Sequence, residues 1–245
     1  MTSNLRPLIA ANWKMHGDLS WADRPLEFNT HYAQEERAHL DVLICPPAIL
    51  LPRMSRTAVQ AGVELGAQDC HANADGAHTG QLSTEMLHGA GADYVIVGHS
   101  ECRAAGDSNK DVNAKAKAAR RGKLIPIICV GETKAQREKG DALKTVAAQI
   151  KASVPKLAEY VIAYEPVWAI GTGLVAEPED IAEVHDAIRE QVGPDVRILY
   201  GGSVKPRNAK AILALKNVNG ALIGGAGLDM ESLAEIAKRA PKPAA

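Results

Sequence analysis

Aromatic residues are scarce in this 245-residue sequence, at 4% with a single Phe, while hydrophobic residues make up 46%. A core is therefore affordable, but it must pack through small and branched side chains. Net charge is also scarce: 28 Lys and Arg stand against 29 Asp and Glu, a formal −1. That balance argues against nucleic acid or an anionic membrane surface as the main partner. No apolar run approaches the roughly 18 residues that a membrane span needs. The start, Met-Thr-Ser-Asn-Leu-Arg-Pro, has no basic stretch followed by an apolar segment, so no signal peptide is expected. The four cysteines, Cys45, Cys70, Cys102 and Cys129, form no CxxC pair, and a reduced cytoplasmic protein is the simplest reading. A zinc site of Cys70, His71 and His78 is disfavoured, because adjacent ligands rarely fit one tetrahedral ion. There is no P-loop and no HExxH, and Gly171-Thr172-Gly173 lacks the third glycine of a dinucleotide fingerprint. Linkers, repeats and low-complexity tracts are missing too, so residues 1–245 read as one domain.

What is present is a regular alternation. Apolar runs rich in Val and Ile recur at Pro7–Ala11, Val42–Cys45, Val63–Ala67, Tyr94–Val97, Leu124–Val130, Tyr160–Tyr164, Val196–Tyr200 and Val218–Ile223. They are apolar throughout and do not alternate with polar residues, as parallel strands buried on both faces do. Between them lie helical patterns such as Asp111–Arg121, Asp141–Lys151, Pro178–Gln191 and Glu231–Arg239. Pro178 with Glu179 and Asp180 marks a helix start, and Gly122 after Arg120 and Arg121 marks a helix stop. Eight such units predict an α/β fold, a single (β/α)8 barrel. A doubly wound open sheet is the alternative, but the first strand runs into Ala-Asn-Trp-Lys and not into a glycine-rich turn.

In a barrel of this kind chemistry sits just after the C-terminal ends of the strands. Asn12 and Lys14 follow the first run, and Gly98-His99-Ser100-Glu101 follows the fourth. Glu165 through Gly173 follows the sixth, Gly201-Gly202-Ser203-Val204 the seventh, and Gly224-Gly225-Ala226-Gly227 the eighth. One glycine-rich loop would only mean a tight turn. Three together, beside a lysine, suit main-chain N–H groups cradling a phosphate. A carboxylate (Glu165), an imidazole (His99) and an ammonium (Lys14) at the same rim suit proton transfer beside a carbonyl, with the developing oxyanion stabilised.

At these residues the chain resembles the triosephosphate isomerase family. The matching segments are Asn12–Met15, Gly98–Glu101, Ala163–Gly173, Tyr200–Val204 and Gly224–Ala226, in the family's order and spacing across roughly residues 5–240. The resemblance implies a TIM barrel that interconverts dihydroxyacetone phosphate and D-glyceraldehyde 3-phosphate through an enediolate, in glycolysis and gluconeogenesis, with no cofactor or metal. It implies Glu165 as the base and His99 as a neutral electrophile, its pKa lowered by the helical turn that follows. Lys14 would neutralise the substrate's charge and Asn12 orient that end of the site. Glu101 would pair with Lys14 or assist proton shuttling, and Ser100 would hold Glu165 in the open state by hydrogen bonding. The phosphate would rest on the N–H groups of Gly171, Ser203, Gly224 and Gly225.

The resemblance also implies a mobile lid over Pro166–Ala176, which keeps water out. Its second hinge reads Leu174-Val175-Ala176, where the family usually has Lys-Thr-Ala. The long Asp69–Ser83 segment calls for a task of its own. In the family it forms a homodimer, which would set Thr79 beside Asn12 and Glu101 of the partner subunit. Gln81 stands where an acid is common, Cys102 where an arginine is common, and His16 where an asparagine is more usual. Two further readings are a phosphate-binding barrel without catalysis and another barrel enzyme acting on a phosphorylated sugar. The set Lys14, His99 and Glu165 speaks against the first, and the lid motif against the second.

Overall fold

The computed structural model describes residues 5–156, 158–170 and 176–242. Eight strands close into an all-parallel barrel in chain order: β1 (Leu8–Asn12), β2 (Asp41–Cys45), β3 (Glu64–Ala67), β4 (Tyr94–Val97), β5 (Ile125–Val130), β6 (Val161–Tyr164), β7 (Arg197–Tyr200) and β8 (Gly220–Ile223). Each pairs with the next. Strand β8 returns to β1, so that Leu8 lies opposite Asp41 on one side and Gly220 on the other.

The helices among the described residues are α1 (Arg24–His31), α2 (Leu51–Ala61), α3 (Thr84–Gly89), α4 (Ser100–Ala104), α5 (Asn109–Arg121), α6 (Lys134–Glu138), α7 (Ala142–Ser153), α8 (Pro178–Val192), α9 (Pro206–Leu213) and α10 (Met230–Ala237). None is long and apolar enough to cross a membrane. The predicted α/β barrel is the fold found.

The strands read as apolar throughout because both of their faces are buried. Leu8, Ala10, Leu43, Cys45, Ile96, Ile127, Cys129, Ala163 and Leu199 pack together inside the barrel. The residues between them, among them Ile9, Ala11, Ile44, Val97, Ile128, Ile162 and Ile198, pack outward against the helices. Two-residue periodicity thus divides the chain into two cores. Few aromatics fit either: alanines and cysteines fill the narrow interior, and Ala58, Ala61, Ala116, Ala119, Ala234 and Ala237 join the outer layer.

Helix boundaries follow local chemistry. The Ser108 hydroxyl accepts from the Asp111 N–H while the Asp111 carboxylate accepts from the Ser108 N–H, a reciprocal cap that starts α5 two residues before its predicted beginning. Pro178 opens α8, followed by Glu179 and Asp180. Helix α5 stops at Arg121 with Gly122 as its cap, as expected, but not through a left-handed glycine. The φ of Gly122 is −80°, and the left-handed residue is Lys123, at φ 65°. Gly122 is required instead by close approach, since a Cβ there would lie 2.5 Å from the side chain of Thr84.

Candidate active site

The loops after the strands converge on one cleft of about 220 Å³, lined by Asn12, Lys14, His99, Glu165, Ser203, Gly224 and Gly225 among others. Of the residues expected there, Gly171 lies outside the described residues, as do the hinge positions Leu174 and Val175.

Asn12 ends β1, and its buried Oδ1 accepts from the Lys14 N–H at 3.0 Å. Lys14 is held at φ 51°, the left-handed region that non-glycine residues rarely enter. Gln68 stabilises this bend from β3's end, donating Nε2–H bonds to the Lys14 carbonyl at 2.8 Å and the Cys45 carbonyl at 2.9 Å. The bend turns the Lys14 ammonium into the cleft, where it meets Glu101 Oε1 at 2.6 Å. Burial raises the Glu101 pKa, but the bond and charge of Lys14, with the charge of His99, outweigh it and the pKa is lowered.

Glu165 and His99 touch, with His99 Nε2 3.0 Å from Glu165 Oε1. Both are nearly inaccessible, Glu165 at 2% and His99 at 5% exposed. Glu165 Oε2 accepts from the main-chain N–H of Ser100 at 2.9 Å. Behind Glu165 the backbones of β5 and β6 run so close that a Cβ at Gly131 would fall 1.7 Å from the Glu165 carbonyl oxygen. His99 caps α4, its Nδ1 accepting from the Glu101 N–H at 3.2 Å. A nitrogen that accepts carries no proton, so the ring proton is on Nε2, facing the carboxylate.

The lowered pKa expected of His99 is not what the site produces. Burial, the largest influence, does push it down. The hydrogen bond to Glu165 and the charges of Glu165 and Glu101 outweigh burial and raise it. The turn after His99 acts as expected on Nδ1. What sequence reasoning lacked was that Glu165 reaches the ring directly.

A model of the triosephosphate isomerase family matches residues 7–240. The chain is 49% identical to the triosephosphate isomerase of Afipia carboxidovorans, an alignment covering 98% of this chain and 100% of that protein. It is 49% identical to that of Ruegeria pomeroyi, covering 94% and 96%. The chain belongs to the triosephosphate isomerase family. The crystal structure of triosephosphate isomerase from Bartonella henselae superposes with a TM-score of 0.88 at 39% identity, covering 96% of this chain and 99% of that one. As a member of this family the chain is an aldose–ketose isomerase for dihydroxyacetone phosphate and D-glyceraldehyde 3-phosphate.

Two structural supports of the family's site escaped the sequence reading. One is Gln68. The other is Glu132, after β5, which is completely buried and whose Oε1 accepts from Tyr164 OH at 3.1 Å and Trp168 Nε1 at 2.9 Å. Arg137 links this cluster to Asp180 on α8. Gln68 follows β3 directly and Glu132 follows β5 after Gly131, so the rule that found His99 and Glu165 finds them when applied to the loops after β3 and β5 as well.

Proposed function

We propose that Glu165 moves the proton between the two carbons of the triose phosphate. Its carboxylate takes a carbon-bound proton, leaving an enediolate, and returns it to the neighbouring carbon. The His99 Nε2–H donates to the substrate oxygen on which charge develops, and the proton it gives up there is replaced by that of the neighbouring hydroxyl, so that carbonyl and hydroxyl exchange places. The observation that carries this reading is the 3.0 Å approach of Glu165 to His99 in a buried pair. A base and an electrophile so close can flank one carbonyl carbon once the carboxylate swings aside. Substrate entering there replaces the Glu165 contact, while the Glu101 N–H keeps Nδ1 bare and the ring neutral. The step as written uses only side-chain and main-chain groups.

Lys14 serves the substrate's negative charge, with Asn12 holding the bend that aims it and Glu101 as its ion-pair partner. Ser100 holds Glu165 through its main-chain N–H. The phosphate lies against Gly171, Ser203, Gly224 and Gly225. A Cβ at Gly225 would meet nothing within 4 Å, and one at Gly224 only Lys14 Cε at 3.8 Å, so these glycines face open space beside the ammonium. Space with main-chain donors and a lysine suits a phosphate dianion.

The chain acts as a homodimer through the loop around Thr79. Supporting this, Met15, Ile49, Leu82 and Met86 are exposed on segments bordering that loop. Its four cysteines are unpaired, as suits a reducing cytoplasm. The decisive assay couples turnover of D-glyceraldehyde 3-phosphate to a dehydrogenase and compares the natural chain with Glu165→Asp. Withdrawing the carboxylate by one methylene is expected to cut turnover about a hundredfold with unchanged circular dichroism. Equal rates refute the assignment of the base.

A further inference from the structure

The phosphate end of the cleft carries a second lysine that no step above uses. Lys205 lines the cleft together with Lys14, Ser203, Gly224 and Gly225. It lies two residues beyond Ser203, in the loop from β7 to α9. Val204, 3% exposed, anchors this loop in the outer core. Asn208, in the first turn of α9, pins it again. Its Oδ1 accepts from the Lys205 N–H at 2.7 Å, and its Nδ2 donates to the Ser203 carbonyl at 3.0 Å. The Ser203 hydroxyl donates to the Ala169 carbonyl at 3.0 Å. Lys205 is thus an exposed side chain on a stretch of backbone held from several sides. Among the described residues its ammonium has no ion pair and no side-chain hydrogen bond.

The charge already in the cleft gives that ammonium a task. Lys14 is balanced by Glu101 at 2.6 Å, and Glu165 brings a second carboxylate. With His99 neutral, these groups together are net negative. A phosphate dianion entering beside them meets repulsion, and a cleft walled by protein screens that repulsion less than bulk water does. Among the described residues lining the cleft, Lys205 is the one lysine or arginine besides Lys14. A lysine meets phosphate as a point charge on a flexible stem, so it needs no fixed fork geometry to act from the rim.

We infer that Lys205 is a second cation for the substrate's phosphate. It offsets the net negative charge of the cleft, draws the dianion in, and favours a phosphorylated three-carbon sugar over an unphosphorylated one. This inference rests on the placement of the phosphate against Ser203, Gly224 and Gly225 proposed above. Lys205 determines specificity, and the proton transfer stays with Glu165. Because Lys205 is exposed, its pull is open to screening by salt. The screening length shrinks from about 10 Å at 0.1 M salt to about 3 Å at 1 M.

Steady-state turnover of D-glyceraldehyde 3-phosphate, with inorganic phosphate as the competing anion, tests this in the full-length protein. Lys205→Met keeps most of the stem and removes the charge. At low ionic strength, the KM and the inhibition constant of phosphate are each expected to rise on the order of fivefold. At about 1 M NaCl the same rise should fall below about twofold. Lys205→Arg, which keeps the charge, should restore both constants at low salt to within about twofold. Unchanged constants in Lys205→Met at low salt overturn the inference. So does a loss of equal size at both salt concentrations, a loss confined to kcat, or a failure of Lys205→Arg to restore. Should circular dichroism show Lys205→Met misfolded, Lys205→Gln is read by the same outcomes. The natural chain separates the two readings. Phosphate that does not compete with substrate there overturns the phosphate placement and this inference with it, whereas competition that Lys205→Met leaves untouched overturns the inference alone.

Discussion

His185 offers an acid-stability experiment whose size can be worked out in advance. It lies on α8 with no exposed surface, set edge-on against Tyr164 at 5.8 Å between ring centroids. Its Nδ1–H faces the Asn217 carbonyl at 3.0 Å, and Nε2 has no hydrogen-bond partner. Burial is the main reason its pKa falls from 6.5 to about 4. The unfolded chain therefore binds a proton below about pH 6.5 that the folded chain refuses until about pH 4. Stability is complete above the unfolded value and is lost as pH falls through this window. Linkage gives a loss of about 1 kcal/mol at pH 5.5 and about 2 to 3 kcal/mol at pH 4.5, relative to pH 7.5. His185→Asn keeps a donor for the Asn217 carbonyl but takes no proton. Urea unfolding of both chains at equal protein concentration, at these three pH values, isolates the effect because other carboxylates titrate alike in each. The advantage of the natural chain over the variant should shrink by those amounts. Parallel pH profiles would refute the reasoning.

Three other outcomes follow from the site. Gln68→Ala removes two hydrogen bonds that hold the strained Lys14 turn, worth about 1 kcal/mol each. We expect kcat/KM to fall about tenfold, mainly through KM, in a steady-state assay with D-glyceraldehyde 3-phosphate. Trp168→Phe and Glu132→Gln both alter the Trp168–Glu132 hydrogen bond, so a double-mutant cycle on kcat/KM should show about 1 kcal/mol of coupling; strict additivity would mean the bond does not serve turnover. The thiols should be inert. Burial pushes Cys102 up to about 11 and Cys70 up to about 12, and raises Cys45 and Cys129 further. A thiol reagent at pH 8 should react fully only after denaturation.

The barrel was legible because strands buried on both faces leave a signature that survives in one dimension: a run such as Ile-Ile-Cys-Val with no polar interruption. The rim was legible for a related reason, since the position after such a run is a place as well as a residue. Asn12, His99 and Glu165 could be set on one face before any coordinates. Contacts between loops were not. Nothing in the chain says that Gln68 reaches back to the carbonyl of Lys14, or that Glu165 leans on His99 and raises the pKa its helix was expected to lower. Gly122 shows the same limit, as the sequence marks it as a helix stop but does not say that it also leaves room for Thr84. His71 and His78, in the loop between β3 and α3, stack with ring centroids 3.8 Å apart, which depends on how a long loop folds back and is not encoded in local patterns.

The pairing of β8 with β1 also has a bearing on how the chain is made. The finished barrel exposes no strand edge for another chain to extend. Leu8, however, finds its partner Gly220 only when synthesis is almost complete. Until then one edge of β1, apolar along its length, stays open on the ribosome while most of the chain is already out. The hazard of this architecture is concentrated in time, in the interval before the last strand emerges, and a factor that shields β1 in that interval would protect the yield of a protein whose finished form needs no such help.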